Sequence, residues 1–311
     1  MRSAAGKLLA VIIPVVLLAL ASWAFITPSH ARPAHHQPAA AQPDATVPVW
    51  GVSVPGPLLP RLDAFDSAVG AAPGIVSSYN RFGKPLDGAQ LKEIKDKGAT
   101  PLVQWNPKNI SLDAIAAGRY DSYLRSIAAS VKSLHMRIIV SFGHEMNGPW
   151  WPWGEGHQSP ASFIAAWRHI VTTFRAQGVV NVTWLWNPNV VSNSSVTDPV
   201  AWWPGSAYVD ETGLDGYFWT PRQTFSALFE PGISELRKLA PGKPVIIAET
   251  GAYPGPGMAD RVTDLFLGAK AAGLAAVVYF DHKGHSDWRI ENNREASAAF
   301  RAASKEYGHA S

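Results

Sequence analysis

A closed (β/α)8, or TIM, barrel is the fold this sequence predicts, and three observations lead there. Beyond Pro48, eight short apolar runs rich in β-branched and aromatic residues alternate with stretches of helical periodicity, with no second linker between them. The runs are continuously apolar, as in Val245-Ile246-Ile247-Ala248, which marks strands of a parallel sheet covered on both faces. The alternation fills roughly 260 residues, close to the size typical of such a barrel. A doubly wound open sheet is the rival, but no glycine-rich phosphate loop follows the first run. No repeat with a period of roughly 20 to 50 residues is visible, so a solenoid is not expected.

Taken in chain order, residues 1–31 read as an export signal. Arg2 and Lys7 precede an apolar run over 8–26, and Ser29 and Ala31 stand at the −3 and −1 positions of a cleavage after Ala31. The competing reading is a retained anchor, since the run is just long enough to span a bilayer, although Pro14 interrupts it. Either way the remainder is expected outside the cytoplasmic membrane, with membrane contact only through this segment if it stays uncleaved. Residues 32–47, rich in Ala, Pro, His and Gln, cannot form a core and read as an extended linker. Residues 48–308 form the barrel. Its strands are expected at 49–54, 75–79, 101–105, 137–142, 182–186, 214–219, 245–248 and 275–280. The clearest helices are expected at 120–134, 160–177, 225–239 and 258–272, several stopped by a glycine such as Gly178, Gly242 or Gly273.

Composition removes several function classes. Formal net charge is +3, and two of those charges, Arg2 and Lys7, lie in the leader, so the barrel is nearly neutral and no nucleic-acid partner is expected. The absence of cysteine excludes disulfides, thiolate metal sites and a cysteine nucleophile. His144-Glu145 resembles the start of a zinc-protease motif, but position 148, where a second histidine is needed, is glycine. His282 and His285 near Asp281 lack a third ligand of suitable spacing, so the 281–284 loop reads as a substrate contact instead. No metal and no cofactor are expected, and the chain is expected to act as a monomer.

Reactive residues of such a barrel stand just past the C-terminal ends of its strands. After the fourth strand comes Gly143-His144-Glu145-Met146-Asn147-Gly148-Pro149-Trp150-Trp151-Pro152-Trp153, and after the seventh Glu249-Thr250-Gly251. Glu145 and Glu249 each follow an apolar strand directly, where an idle charge would be costly. Two carboxylates in one mouth are the minimum equipment for glycoside hydrolysis, one donating a proton to the leaving oxygen and the other attacking or activating water. The run of tryptophans beside Glu145 suggests a carboxyl raised by apolar walls and thus the acid. Tyr217 and Arg81, on neighbouring parts of the rim, are candidates to hold the other carboxylate ionised.

The string His144-Glu145-Met146-Asn147-Gly148 with Trp150, followed by Tyr217, Ile247-Ala248-Glu249 and Asp287-Trp288, resembles glycoside hydrolase family 26, a group of retaining TIM-barrel glycanases. The resemblance spans the domain from about Pro48 to its last helix. It implies Glu145 as acid/base and Glu249 as nucleophile, with His144 beside the pair and Trp150, Tyr217 and Trp288 lining the sugar subsite at the scissile bond. It further implies a polysaccharide substrate, β-1,4-mannan first, with a mixed-linkage β-glucan or β-1,3-xylan as alternatives. Many mannanases of the family carry an arginine four residues before the acid/base, where this sequence has Ser141, and that departure weakens the case for mannose selectivity and makes a glucan or another β-linked polymer a rival. Trp105, Trp151 and Trp186, also at strand ends, are expected to stack on sugar rings, and Asn147 to contact substrate. Trp153 and Trp219 are placed on the same rim, Trp167 and Trp184 in the core, and Trp202 and Trp203 as pins of a loop. The competing function is a non-catalytic, cell-surface carbohydrate-binding protein, which would not need two opposed glutamates.

Overall fold

The computed structural model describes residues 48–193 and 195–307. The expected leader and the whole of the expected linker lie outside the described residues. Eight parallel strands close into a barrel in sequential order, so the expected (β/α)8 architecture is what the chain adopts. The strands are β1 (Val49–Ser53), β2 (Ile75–Arg81), β3 (Thr100–Asn106), β4 (Ile138–Phe142), β5 (Val182–Trp186), β6 (Glu211–Asp215), β7 (Val245–Thr250) and β8 (Ala276–Phe280). Helices α1 (Leu58–Val69), α2 (Gly88–Asp96), α3 (Leu112–Ala116), α4 (Asp121–Ser133), α5 (Pro160–Ala176), α6 (Phe225–Leu239), α7 (Met258–Ala271) and α8 (Arg294–Ser304) surround them.

The helices form where the pattern placed them. Helix α5 begins at Ser159, whose side chain accepts from the Ser162 amide, with Pro160 in the first turn, where its missing N–H costs nothing. It buries Phe163, Trp167, Ile170 and Phe174 along one face against the strands. Among the described residues between β5 and β6 there is no α-helix, only two 3₁₀ turns at Pro199–Trp202 and Ser206–Tyr208. The segment carries Pro188, Pro199, Pro204 and Gly205 among Asn and Ser, which together defeat helical propagation. Trp202 fills the space instead, fully buried and edge-on to Phe163 at 5.6 Å, while Trp203 meets Trp186 at 4.9 Å. The sixth strand also differs from expectation. It starts at Glu211 and ends at Asp215, so Tyr217-Phe218-Trp219 stand beyond it, with Phe218 bridged to Ala252.

Inside the barrel the inward positions step by two up each strand and change character with height. The lower layer is apolar: Ile75, Leu102, Ile139, Leu185, Ile246, Ala248, Ala276 and Val278. Two residues further along come Ser77, Gln104, Ser141 and Asn187, with Asp215 two beyond Gly213, and all of these side chains are buried. Strand β7 breaks the alternation. Ile247 pairs with Leu214 and Val277, but Glu249 pairs with Asp215 and Thr250 with Tyr279, so β7 carries one residue more than either neighbour. This bulge turns Glu249 inward directly after inward Ala248, where strict alternation would send it to the helix layer.

Candidate active site

Each glutamate reaches the mouth by a local departure from regular backbone. Glu249 is delivered by the bulge. Glu145 follows Gly143 (φ 58°) and itself sits at φ 54°, a left-handed conformation that a side chain with a Cβ rarely adopts. The surroundings hold it there: the Glu145 amide donates to Asn187 O at 2.8 Å and its carbonyl accepts from Gly148 N at 3.0 Å.

The Glu145 carboxylate, buried to 6% exposure, accepts three hydrogen bonds. The indoles of Trp150 and Trp151 donate to Oε2 at 2.6 and 2.7 Å, and Asn189 Nδ2 donates to Oε1 at 2.8 Å. The neighbouring tryptophans thus meet it with their polar N–H edges and not as the apolar wall expected from their composition. Trp151 is stacked on Trp153 at 4.9 Å, and Trp153 donates to His144 O at 2.8 Å, so the run is a braced stack.

Glu249 is gripped by two phenols, Tyr217 on Oε1 and Tyr79 on Oε2. Burial pushes its carboxyl up to about 7, the Glu145 charge adds to the rise, and the two tyrosine donors oppose it. Burial and the Glu249 charge also push both phenols well above their ordinary range, so they remain neutral donors. Asp215, fully buried, accepts from Asn187 Nδ2 at 3.0 Å on each oxygen, and burial together with the Glu249 and Glu145 charges holds it well above the usual carboxylate range. His144 is buried with Nδ1 3.1 Å from Asn106 Oδ1, so Nδ1 carries hydrogen, and desolvation lowers its basicity.

The two glutamates line one cavity of about 580 Å³ together with Trp150, Trp151, Tyr217 and Trp288. Among the described residues, His144, Asp215 and Glu249 present ligand atoms within 4.8 Å of one another. Both oxygens of each carboxylate already accept from Asn187 or a tyrosine, so this trio is organised for hydrogen bonding and does not fit a cation.

Several expectations need correction. Arg81 is exposed at the end of β2 and is not a partner of Glu249; Tyr79, two residues lower on the same face, reaches the carboxylate instead. Trp105 is buried against Phe82, Phe142 and Phe174 in the layer between barrel and helices, and Trp186 is buried against Trp203. Neither lines the cavity. Trp105 lies between inward Gln104 and Asn106, so alternation turns it outward. Asn147 is also fully buried. Its amide donates to Asn189 O and Thr197 O and its Oδ1 accepts from Asn189 N, which makes it a brace for the residue that holds Glu145. The residues missed from sequence are Tyr79, Asn189 and Asp215. Their one available signal is parity, since Tyr79 and Asp215 sit two residues above an inward position.

The family model of glycosyl hydrolase family 26 matches residues 99–301, more than half of the chain. Endoglucanase H of Acetivibrio thermocellus is 33% identical over 224 residues, which cover 68% of this chain and 25% of that relative. A mannan endo-1,4-beta-mannosidase of Bacillus subtilis strain 168 is 27% identical over 228 residues, covering 70% of this chain and 55% of the relative. The matches therefore span about a quarter and about half of these two curated relatives. Among solved structures, the catalytic domain of a Bacillus sp. JAMB-750 endo-beta-1,4-mannanase shares the fold with a TM-score of 0.68 at 20% identity, over 83% of this chain and 86% of that one.

Proposed function

The chain belongs to glycosyl hydrolase family 26, and from that premise we propose that it is a secreted, retaining endo-β-glycanase acting on a β-1,4-linked polysaccharide, with β-mannan as the first substrate. The observation that carries this reading is the pair of buried glutamates on opposite strands, β4 and β7, sharing one aromatic cavity and each held on both oxygens by donors. Glu249 attacks the anomeric carbon while Glu145 protonates the departing oxygen; water, activated by Glu145, then releases the sugar with retained configuration. The phenols of Tyr217 and Tyr79 aim the nucleophile. The indoles of Trp150 and Trp151 orient the acid/base.

Release of reducing sugar from mannan, mixed-linkage β-glucan, β-1,3-xylan and cellulose tests the reading. Wild-type protein is expected to act on at least one of these, and Glu145→Gln and Glu249→Gln to lose that turnover by about 10³-fold or more while still binding the polymer. Wild-type turnover in either variant removes the assignment of that glutamate. An inverted product anomer by NMR removes the double displacement.

A second substrate, a β-glucan, is favoured by the 33% identity to a protein named endoglucanase H and by Ser141, small and buried where an arginine would mark many mannanases. Secretion rests on the leader at 1–31. N-terminal sequencing of exported protein is expected to begin after Ala31, and a retained Met1 would favour the anchor.

A further inference from the structure

We propose that Asp281 and Glu291 form a proton-bridged carboxyl pair that clamps the loop between β8 and α8, and that this clamp makes the position of Trp288, and so the grip on substrate, dependent on pH. The inference rests on the glycanase reading only for its effect on substrate. Asp281 follows β8 directly, but it is buried and lies outside the cavity lining, to which its loop contributes Gly284, His285 and Trp288. The loop is closed at its base. The Asp281 amide donates to Ser53 O at 2.8 Å, and its Oδ1 accepts from the Ile290 amide at 2.7 Å. Within the closed span the Trp288 amide donates to His282 O at 3.0 Å, and the Trp288 carbonyl accepts from the Tyr279 hydroxyl at 2.8 Å. Glu291, in a 3₁₀ turn at Ile290–Asn292, ties the same span to α1, its Oε1 accepting from Arg61 at 2.7 Å.

One oxygen remains on each carboxyl. Asp281 Oδ2 and Glu291 Oε2 are both buried, neither meets an N–H or O–H donor of the protein, and the two side chains stand within hydrogen-bonding reach of each other. Two acceptors satisfy one another only through a proton. Asp281 carries it: burial pushes its carboxyl up to about 8 and Glu291 adds to the rise, against the Ile290 amide and Arg61. Tyr279 on β8 and His282, Asp287 and Arg289 on the loop complete the titratable surroundings. Burial keeps Tyr279 protonated and lowers His282 to about 4, while the Arg289 hydrogen bonds lower Asp287 to about 2. Asp63 and Asp66 on α1 face Lys97. Asp281 therefore carries the change of charge at the clamp as pH rises. In an open loop it would titrate near 4, so opening is favoured progressively from about pH 4 to about 8, and the contribution of the clamp is lost above that.

Hydrogen exchange of the amides in 282–290, corrected for the intrinsic dependence of exchange on pH, reads the clamp without any substrate. Wild-type protection is expected to fall by about tenfold or more between about pH 5.5 and 8.5. Asp281→Asn and Glu291→Gln each put a permanent N–H in place of the proton, so both should hold the protection nearly level over this range. Glu291→Ala should lower it already at the acidic end. Wild-type protection that stays level, or that falls equally in wild type and the two amide variants, overturns the proposal. On a polysaccharide that the protein hydrolyses, KM should rise with pH by about threefold or more in wild type beyond any rise in Asp281→Asn, while kcat follows one profile in both. Equal KM profiles overturn the link from clamp to substrate. Should the wild type turn over no glycoside, the glycanase reading falls, and the exchange measurement still decides the clamp.

Discussion

At the scale of single residues, the site turns on how each glutamate is held. Glu249 has a phenol on each oxygen, and an attacking carboxylate must release one of them as its oxygen bonds to carbon. Tyr79 is therefore expected to matter although it stands in a polar stretch, Ser77-Ser78-Tyr79-Asn80-Arg81, that reads as a fraying strand end. Tyr79→Phe should lower kcat by about 10²-fold, the typical cost of removing one oriented donor. It should also move the acidic limb of kcat/KM. That limb reports ionisation of Glu249, near 7, and the Tyr79 bond is one of the contributions that lower it. Without the bond the limb shifts to higher pH, whereas a purely structural role for Tyr79 would leave its position unchanged.

At the scale of elements, the missing helix between β5 and β6 is replaced by side-chain mass, chiefly Trp202. Trp202→Ala should leave a cavity between α5 and the strands and cost about 3–5 kcal/mol, read as a lowered midpoint in urea unfolding, with an unchanged pH profile of any turnover. Elements were the most legible level of the sequence. The continuous apolar runs located eight strands, with the sixth displaced by several residues, and stop glycines marked helix ends, because burial on both faces leaves a compositional trace. The two glutamates were legible for the same reason: a carboxylate directly after an apolar strand is conspicuous. Side-chain direction was not legible. Trp105 and Trp186 stand at strand ends as the rim tryptophans do, but composition carries no mark of parity, and they face the helices. Asp215 fell within the expected sixth strand and Asn189 after the fifth, with nothing to mark either for the site, and only the closed barrel sets Asn189 on Glu145 and buries Asp215 beside Asn187.

For the whole molecule, several carboxyl groups are folded into the interior with their protons favoured. Burial and the neighbouring Glu291 push Asp281 up to about 8, against an opposing bond from the Ile290 amide, and Glu249 stands near 7. In the unfolded chain both would titrate near 4. The folded state thus binds more protons between about pH 4 and 8. The stability these groups lend is complete below about 4 and is lost as pH rises through 7 and 8. The thermal midpoint is expected to be higher at pH 5.5 than at 8.5, and Asp281→Asn, which keeps an acceptor for the Ile290 amide, should flatten that slope. The bulge in β7 has a further effect at this scale, since it inverts the parity of everything downstream. Even-numbered residues face inward up to Ala248, and odd-numbered ones from Glu249 onward. Position 251 is thereby turned toward the mouth, and a Cβ there would lie 3.0 Å from Trp288 and 3.2 Å from Tyr217. One supernumerary residue thus does two things together: it aims the carboxylate and opens the glycine gap in which the two flanking rings converge. This aromatic wall of the mouth is consequently sensitive to a change of chain length in β7 in a way that no single side-chain replacement reproduces.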